Sequence, residues 1–258
     1  MGRMEPEGVD LSAVLAHWKY DESDNVRRVR SGGRDLIQVR LPLGIEQYEV
    51  HGRPDGLRPQ EHESWFAYYH ERADREAWGF ALDDDVLERL KDESLLYYYR
   101  YLLFFQIQEY RFCARDTRRN LEVLDFVARH FGAERAVSLE QYRPYILRMH
   151  LMATALDRLQ NDAPVADAIA LVEEGMRQIR ELPELPRNKI FRHEQRAAIR
   201  VLGKLREQLA SMLPPDPSRE IEKRIAKAVS RENYEEAARL RDRLARLRNA
   251  ERSDIRAD

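Results

Sequence analysis

The chain has 258 residues, 35% of them charged and 43% hydrophobic, the composition of a folded, well-charged globular protein and not of a disordered one. A formal net charge of −2 excludes the chain as a whole from non-specific attraction to DNA, RNA or acidic membranes, although local patches can still be basic. The single cysteine, Cys113, excludes an internal disulfide and a cysteine-rich metal site, which fits a reducing compartment.

The first ten residues, MGRMEPEGVD, read as a loose end without the apolar core of a signal peptide. LSAVLAHWKY (11–20) suits a short helix. From Val26 the period changes to two: VRRVR, the turn SGGR and DLIQVRLPL predict a β-hairpin turning on Gly32-Gly33. Ile37, Val39, Leu41 and Leu43 alternate onto one face. Pro42 lacks an N–H, so that part of the strand is expected at an edge, and Gly44 is expected to bend or bulge the strand before IEQYEV continues it. HGRPDGLRP (51–59) is a loop of turn-forming residues. So small a β unit needs a partner to cover its apolar face.

Everything after the loop has helical spacing. Two segments come first, EHESWFAYYHERADREAWGF (61–80) and DDDVLERLKDESLLYYYRYLLFFQIQEYRFCARD (83–116), which includes LLYYYRYLLFF (95–105). That greasiest run is interrupted by Arg100 and falls short of the roughly 20 residues a membrane span needs, so a cytoplasmic protein without membrane attachment is expected. Asp83, Asp84 and Asp85 predict a helix start, since carboxylates there accept orphan N–H groups and suit the dipole. As a metal site they would point in different directions. TRRNLEVLDFVARHF, YRPYILRMHLMATALDRLQ and PVADAIALVEEGMRQIREL follow, with Pro164 placed for the first turn of the last helix. Long helix, short break, long helix therefore occurs twice, over 95–131 and 145–182. The second unit (Ala155, Leu159, Ala168, Leu171, Val172, Met176) faintly resembles a tetratricopeptide-type hairpin, but the spacing exceeds the roughly 34-residue period of such repeats. Another amphipathic helix precedes PPDP (214–217), a stiff linker. The expected organisation is a small β unit within 1–60, a helical-hairpin stack over 61–213, and a tethered two-helix module over 214–258. The fold class is mainly α.

Sites for chemistry are scarce. The seven histidines form no HExxH and no Cys/His cluster, and no P-loop, GxGxxG or GxSxG motif occurs. His62 in EHES is the nearest acid/base candidate, but a solvated loop-to-helix junction explains it better. Cys113 reads as a buried thiol sooner than a nucleophile, and the tyrosines and phenylalanines of 97–105 as core sooner than a base-stacking surface. No cofactor is implied. Arg111, Arg115, Arg118 and Arg119 fall at i, i+4, i+7 and i+8. If the helix runs through Asp116 and Thr117, they share a face suited to an anion or acidic peptide. Pairing with neighbours such as Asp116 and Glu122 is the competing expectation, and the one favoured.

After the prolines the sequence gives two amphipathic helices. Ile221, Ile225 and Ala228 recur on the first; Ala237, Leu240, Leu244 and Leu247 mark the stripe of the second. Asn233 and Glu236 form a capping-box pair between them, and the small pair Ala237-Ala238 lets the helices approach near the turn, where Tyr234 is expected to pack. Two helices of this length are marginal alone and gain stability by dimerising or docking. The flanking arginines and glutamates, Arg241 among them, would set partner choice. IEKRIAKAVSRENYEEAARLRDRLARL resembles the UVR motif, the helical hairpin shared by the excision-repair subunits UvrB and UvrC. Similar motifs occur in the adaptor of the protein-arginine kinase system and in Clp-type chaperones. The resemblance rests on Ile221, Ile225, Ala228, residues 233–238, Leu240-Arg241-Asp242 and Leu244, and it implies a protein–protein interaction element. The helicase, nuclease and zinc-binding parts of those relatives have no counterpart here. LGIEQYEVHGRPDGLRP resembles a segment of bacterial proteins ending in this motif and implies no activity.

Three functions are therefore carried forward. The first is a non-catalytic adaptor that binds protein partners through the stack and the terminal hairpin, with self-association as one form of this. The second is a DNA-repair accessory that recruits an excision-repair component or touches DNA through the arginine face. The third is an enzyme of unrecognised type. Direct nucleic-acid binding is not expected of the first.

Overall fold

The computed structural model describes residues 11–75, 83–214 and 217–254. The chain divides into two compact units, 1–206 and 207–258, each described here by itself.

The first unit begins with a short helix, α1 (Ser12–His17), that buries none of its residues. Strands β1 (Val26–Ser31), β2 (Arg34–Leu41) and β3 (Gly44–Glu49) then form an antiparallel meander in the order β1-β2-β3. The first turn is Gly32-Gly33, as the sequence predicts: both residues have positive φ (56° and 77°), the conformation that a tight two-residue hairpin requires and glycine supplies. The second connection corrects the expectation of a bent, continuing strand. Leu41 pairs with Gly44 across a turn formed by Pro42 and Leu43, so the chain reverses there. Proline has no N–H for a ladder, so a turn suits it. Leu43 accordingly leaves the predicted apolar face and is 93% exposed, whereas Ile37 and Val39 are buried. The cover that the sheet needs comes from the helices: Val26, Ile37, Val39 and Val50 pack with Tyr101, Phe104, Phe112, Cys113, Met149 and Ala153.

A 3-10 turn (Pro59–Glu61) leads into α2 (Trp65–Arg75), which starts four residues after the predicted 61; the end of the predicted 61–80 segment lies outside the described residues. Next come α3 (Asp84–Gln106), α4 (Tyr110–Phe131), α5 (Ala133–Glu140), α6 (Arg143–Gln160), α7 (Val165–Glu181) and α8 (Lys189–Met212). Asp83 caps α3 by accepting from the Val86 N–H at 3.0 Å. Helix α4 is the centre of the unit, packed on α3 and on α6. A second apolar cluster joins α2 through α6 around Leu90, Val123, Leu124, Val127 and Ile146. Helices α6 and α7 make the second predicted hairpin. They approach closely where a Cβ on Gly175 would run into the Leu151 side chain, which explains a glycine inside α7. Pro164 sits one step earlier than predicted, as the residue before α7 and not within its first turn.

The second unit takes in the end of α8 from Glu207, then α9 (Pro217–Ser230) and α10 (Tyr234–Asp254), which pack against each other. The chain is thus mainly helical with a small N-terminal antiparallel sheet and a two-helix C-terminal hairpin.

Candidate partner-binding surfaces

In the terminal hairpin, the apolar spacing of α9 and α10 puts Ile221, Leu240 and Leu244 into one buried cluster, with Ile225 and Leu247 packed beside it. Ala228 and Ala237 are buried next to the turn, where their small side chains let the backbones approach. The seam residues therefore face one another and do not present an open apolar stripe. Asn233 works as the sequence suggests in one direction: its Oδ1 accepts from the Glu236 N–H at 3.2 Å. The return bond differs, because Glu236 Oε2 accepts from the Asn233 side-chain amide at 3.1 Å, while the Asn233 N–H donates to Ala228 O. The C-terminal carbonyls of α9 claim that N–H first, so the box closes through side chains.

Tyr234 departs from the packed position expected of it and is 67% exposed. It begins α10 just beyond the turn, and Val229, next to the end of α9, is 39% exposed. Arg241 is also on the surface. Rim charges pair locally: Arg239 to Glu235 at 2.5 Å and, between the helices, Arg224 to Glu236 at 3.9 Å. All four are well exposed, and such pairs contribute roughly 0–1 kcal/mol each.

The arginine face forms because α4 runs unbroken through Asp116 and Thr117. Arg111, Arg115, Arg118 and Arg119 line one cleft of about 440 Å3, with Thr154 and Asp157 of α6 and with Glu122. Their commitments differ. Arg115 bonds Asp116 Oδ1 (Nε, 2.9 Å) and the Val50 carbonyl (2.8 Å). Arg119 is ion-paired with Glu93, donates to Asn120 Oδ1 at 3.0 Å and lies 4.0 Å from the Tyr97 ring centroid. Arg111 stacks on Phe112 at 4.4 Å and has no carboxylate partner among the described residues. Arg118 has no ion pair or hydrogen bond among the described residues. The predicted neighbour pairing thus holds for Asp116 with Arg115, whereas Glu122 pairs with none of the four among the described residues. Beside this cleft opens a hollow of about 670 Å3 in which Glu63, Glu71, Asp74, Asp116, Glu122 and Asp125 outnumber the arginines. The basic surface is consequently a local patch and not a continuous groove.

Sequence reasoning missed the ionic network behind that patch. Arg100, 1% exposed, grips Asp116 with two bonds (2.7 and 3.0 Å) and donates to the Glu49 and Gly52 carbonyls at 2.8 Å. Glu93, fully buried, accepts the Trp65 and Phe66 N–H groups at 2.7 and 3.1 Å, closing the start of α2, and is paired with Arg53 and Arg119. Asn120 donates to Ser94 O at 3.0 Å. The network ties the loop after β3 to α2, α3 and α4. One signal was available: Glu93 and Arg100 are seven apart on α3, in the same stripe as Leu90, Tyr97 and Phe104.

The remaining candidates carry little chemistry. Cys113 is fully buried, and burial, with Asp116 nearby, pushes its thiol pKa well above the ordinary range, which disfavours the nucleophilic thiolate. His62 bonds Gln60 O and Glu71 at the loop-to-helix junction. His150 is turned to Ala114 O and Thr117 Oγ1, both at 3.1 Å, and burial lowers its pKa. Among the described residues no group of His, Cys, Asp and Glu has the arrangement of a metal site, Asp83 to Asp85 included, and no helix is long and apolar enough to cross a membrane.

In comparison with known families, residues 219–250 fit the model of the UvrB/uvrC motif, known as UVR, and they span most of α9 and of α10. No curated protein and no solved structure matches the chain.

Proposed function

We propose, for a chain whose residues 219–250 are a UVR motif, that the protein is a non-catalytic adaptor whose C-terminal hairpin binds a protein partner or a second copy of itself. The observation that carries this reading is the hairpin's organisation. Its two helices pack on each other around their own apolar seam, and its exposed surface is a charged rim that includes Val229 and Tyr234. Specificity then lies in the rim and at the turn, with Tyr234 and Arg241 in contact with the partner. Ile221, Ile225, Ala228, Ala237, Leu240, Leu244 and Leu247 hold the shape that presents them. An aromatic side chain anchored among charges suits such a contact, because it adds large area at low conformational cost. The arginine cleft is a second candidate surface for an acidic partner.

Capture experiments with the whole chain, and with the chain lacking residues 216–258, test the reading. Truncation is expected to remove partner capture and self-association while the main melting transition stays. Loss of that transition on truncation would mean the hairpin belongs to the main core and would sink the docking reading. Purified protein is also expected to show no nuclease, ATPase or hydrolase turnover. Reproducible turnover abolished by changing His62 or Cys113 would replace the adaptor with an enzyme.

The second reading, a DNA-repair accessory, draws on Arg111 and Arg118, which lack carboxylate partners within the described residues. A patch of four arginines facing Glu122 and Asp157 offers little counterion release. No specific duplex shift is therefore expected at physiological salt. A tight, steeply salt-dependent shift would promote this second reading over the first.

A further inference from the structure

A third cavity, of about 500 Å3, opens on another side of the first unit between α3, α4, the α5–α6 turn, α6 and α8. That volume is in the usual range for small-molecule sites, roughly 300–1,000 Å3. Its walls are aromatic: Tyr98, Tyr101, Tyr142 and Tyr145 line it with leucine and isoleucine side chains. Tyr98 is the hinge of the wall, 5.5 Å from the Tyr101 ring at a near right angle and 6.0 Å from the Tyr145 ring. Tyr142 at 44% and Leu95 at 47% exposure leave apolar surface open at the rim.

Carboxylates outnumber cations among the described residues that line this cavity. Asp92 and Glu194 line it, and neither has an ion pair or hydrogen bond among the described residues. The one cation among the described lining residues, Lys91, is already matched by Glu88 at 2.7 Å. Tyrosine faces carry negative quadrupole density and attract cations. The molecule uses this property at the same wall, where the Arg148 guanidinium lies 4.6 Å from the Tyr145 ring centroid.

We propose that this cavity binds a small organic cation with an apolar body, its charge held by Asp92 and Glu194 and its body against the tyrosines. An anion would meet two carboxylates. A neutral ligand would take water from half-buried Glu194 without replacing it. A cation removes both objections and gains the ring interaction. The site is separate from the surfaces assigned to partner binding, so it stands or falls independently of the adaptor reading.

Calorimetric titration of the full chain with benzyltrimethylammonium, benzyl alcohol and benzoate tests the inference. Saturable binding of the cation is expected, about tenfold tighter than the alcohol, with none for benzoate. Asp92→Asn and Glu194→Gln, both changes near the surface that leave the apolar core untouched, are each expected to weaken the cation and not the alcohol. Tyr142→Ala is expected to weaken both. A lysine or arginine side chain of a partner offers the same charge, so a capped arginine tripeptide is titrated alongside. The proposal is overturned by no saturable cation binding, by equal binding of cation and alcohol, by indifference to both carboxylate variants, or by the tripeptide outcompeting the small cation.

Discussion

The two units use the same residue types in opposite ways. In the terminal hairpin, arginine and glutamate stay in water around a seam made only of Ile, Leu and Ala, and they pair with neighbours one turn away or across the seam. In the first unit, Arg100, Glu93 and Asp116 are inside, and their partners come from far along the chain: Arg100 with Asp116, Glu93 with Arg53 and Arg119. A buried charge is tolerable only when paired. These are paired, even though the Arg53 and Arg119 Nε atoms have no hydrogen-bond partner among the described residues. The interior arginines and acids thus fix how loop and helices meet, whereas the rim charges are free to meet something else. A position's response to substitution should reveal which regime it belongs to.

The largest effect is expected at Asp116→Ala. It strands Arg100, 1% exposed, without its carboxylate, and breaking one partner of such a pair typically costs about 3–5 kcal/mol. Denaturant titration should show that loss in the main transition. A change below about 1 kcal/mol would mean that the network is no more than a surface pair and would erase the contrast between the units.

Leu244→Asp comes next. It removes a buried leucine, a loss of about 2–5 kcal/mol where only the side chain is truncated, and it adds a charge to the seam. The hairpin is expected to lose its helical signal and its partner, while the main transition keeps its midpoint. A fall in that midpoint would show that the hairpin's stability is shared with the first unit.

How much of this was legible follows from where each feature's information lies. The hairpin was readable because all of it is local: Ile221, Leu240 and Leu244 declare the seam by spacing, and Asn233 with Glu236 declares the turn. The Asp83 cap was readable for the same reason, whereas the break between α3 and α4 at 107–109 and the short α5 were not. The buried network was not, since nothing near Glu93 names Arg53 or the Trp65 N–H as its partner. The meander was half readable. Gly32-Gly33 is a two-residue turn by composition, but Pro42-Leu43 lacks the positive-φ residues that usually mark one, and it read as strand. Tyr234 was misplaced because apolar spacing cannot say whether an aromatic at the edge of a stripe turns inward.

A smaller effect sharpens the contrast by pH. Burial lowers the pKa of His150 below the ordinary 6.5. In the unfolded chain its imidazole takes up a proton as pH falls through 6.5, while in the folded chain it does so only at lower pH. Its contribution is therefore fully present above that pH and is lost as pH drops below it, at most about 1.4 kcal/mol for each unit. His130, also lowered by burial and by Arg129, adds in the same direction. Stability of the main transition measured from pH 7.5 to 5 should decline, and His150→Gln should flatten part of the decline. An unchanged slope in that variant would place the pH dependence elsewhere.

The smallest effect on stability is expected on the rim, and it separates folding from recognition. Arg239 reaches Glu235 at 2.5 Å, but the two side chains are 78% and 79% exposed. Water screens the pair, and holding two long side chains in place costs entropy, so Arg239→Ala should change hairpin stability by no more than about 1 kcal/mol. Arg243, with no carboxylate partner among the described residues, should be at least as tolerant. If rim charges choose the partner, the same substitutions act on encounter: association slows and becomes less sensitive to salt, while the melt is unchanged. Tyr234→Ala, two-thirds exposed in the free hairpin, should weaken capture more than either arginine change, because an exposed aromatic has little to lose in folding and much area to bury on binding. Circular dichroism melts beside surface-capture kinetics on the three variants make the comparison. Should Tyr234→Ala lower the melting point while leaving capture intact, the tyrosine belongs to the fold after all, and the partner meets some other surface.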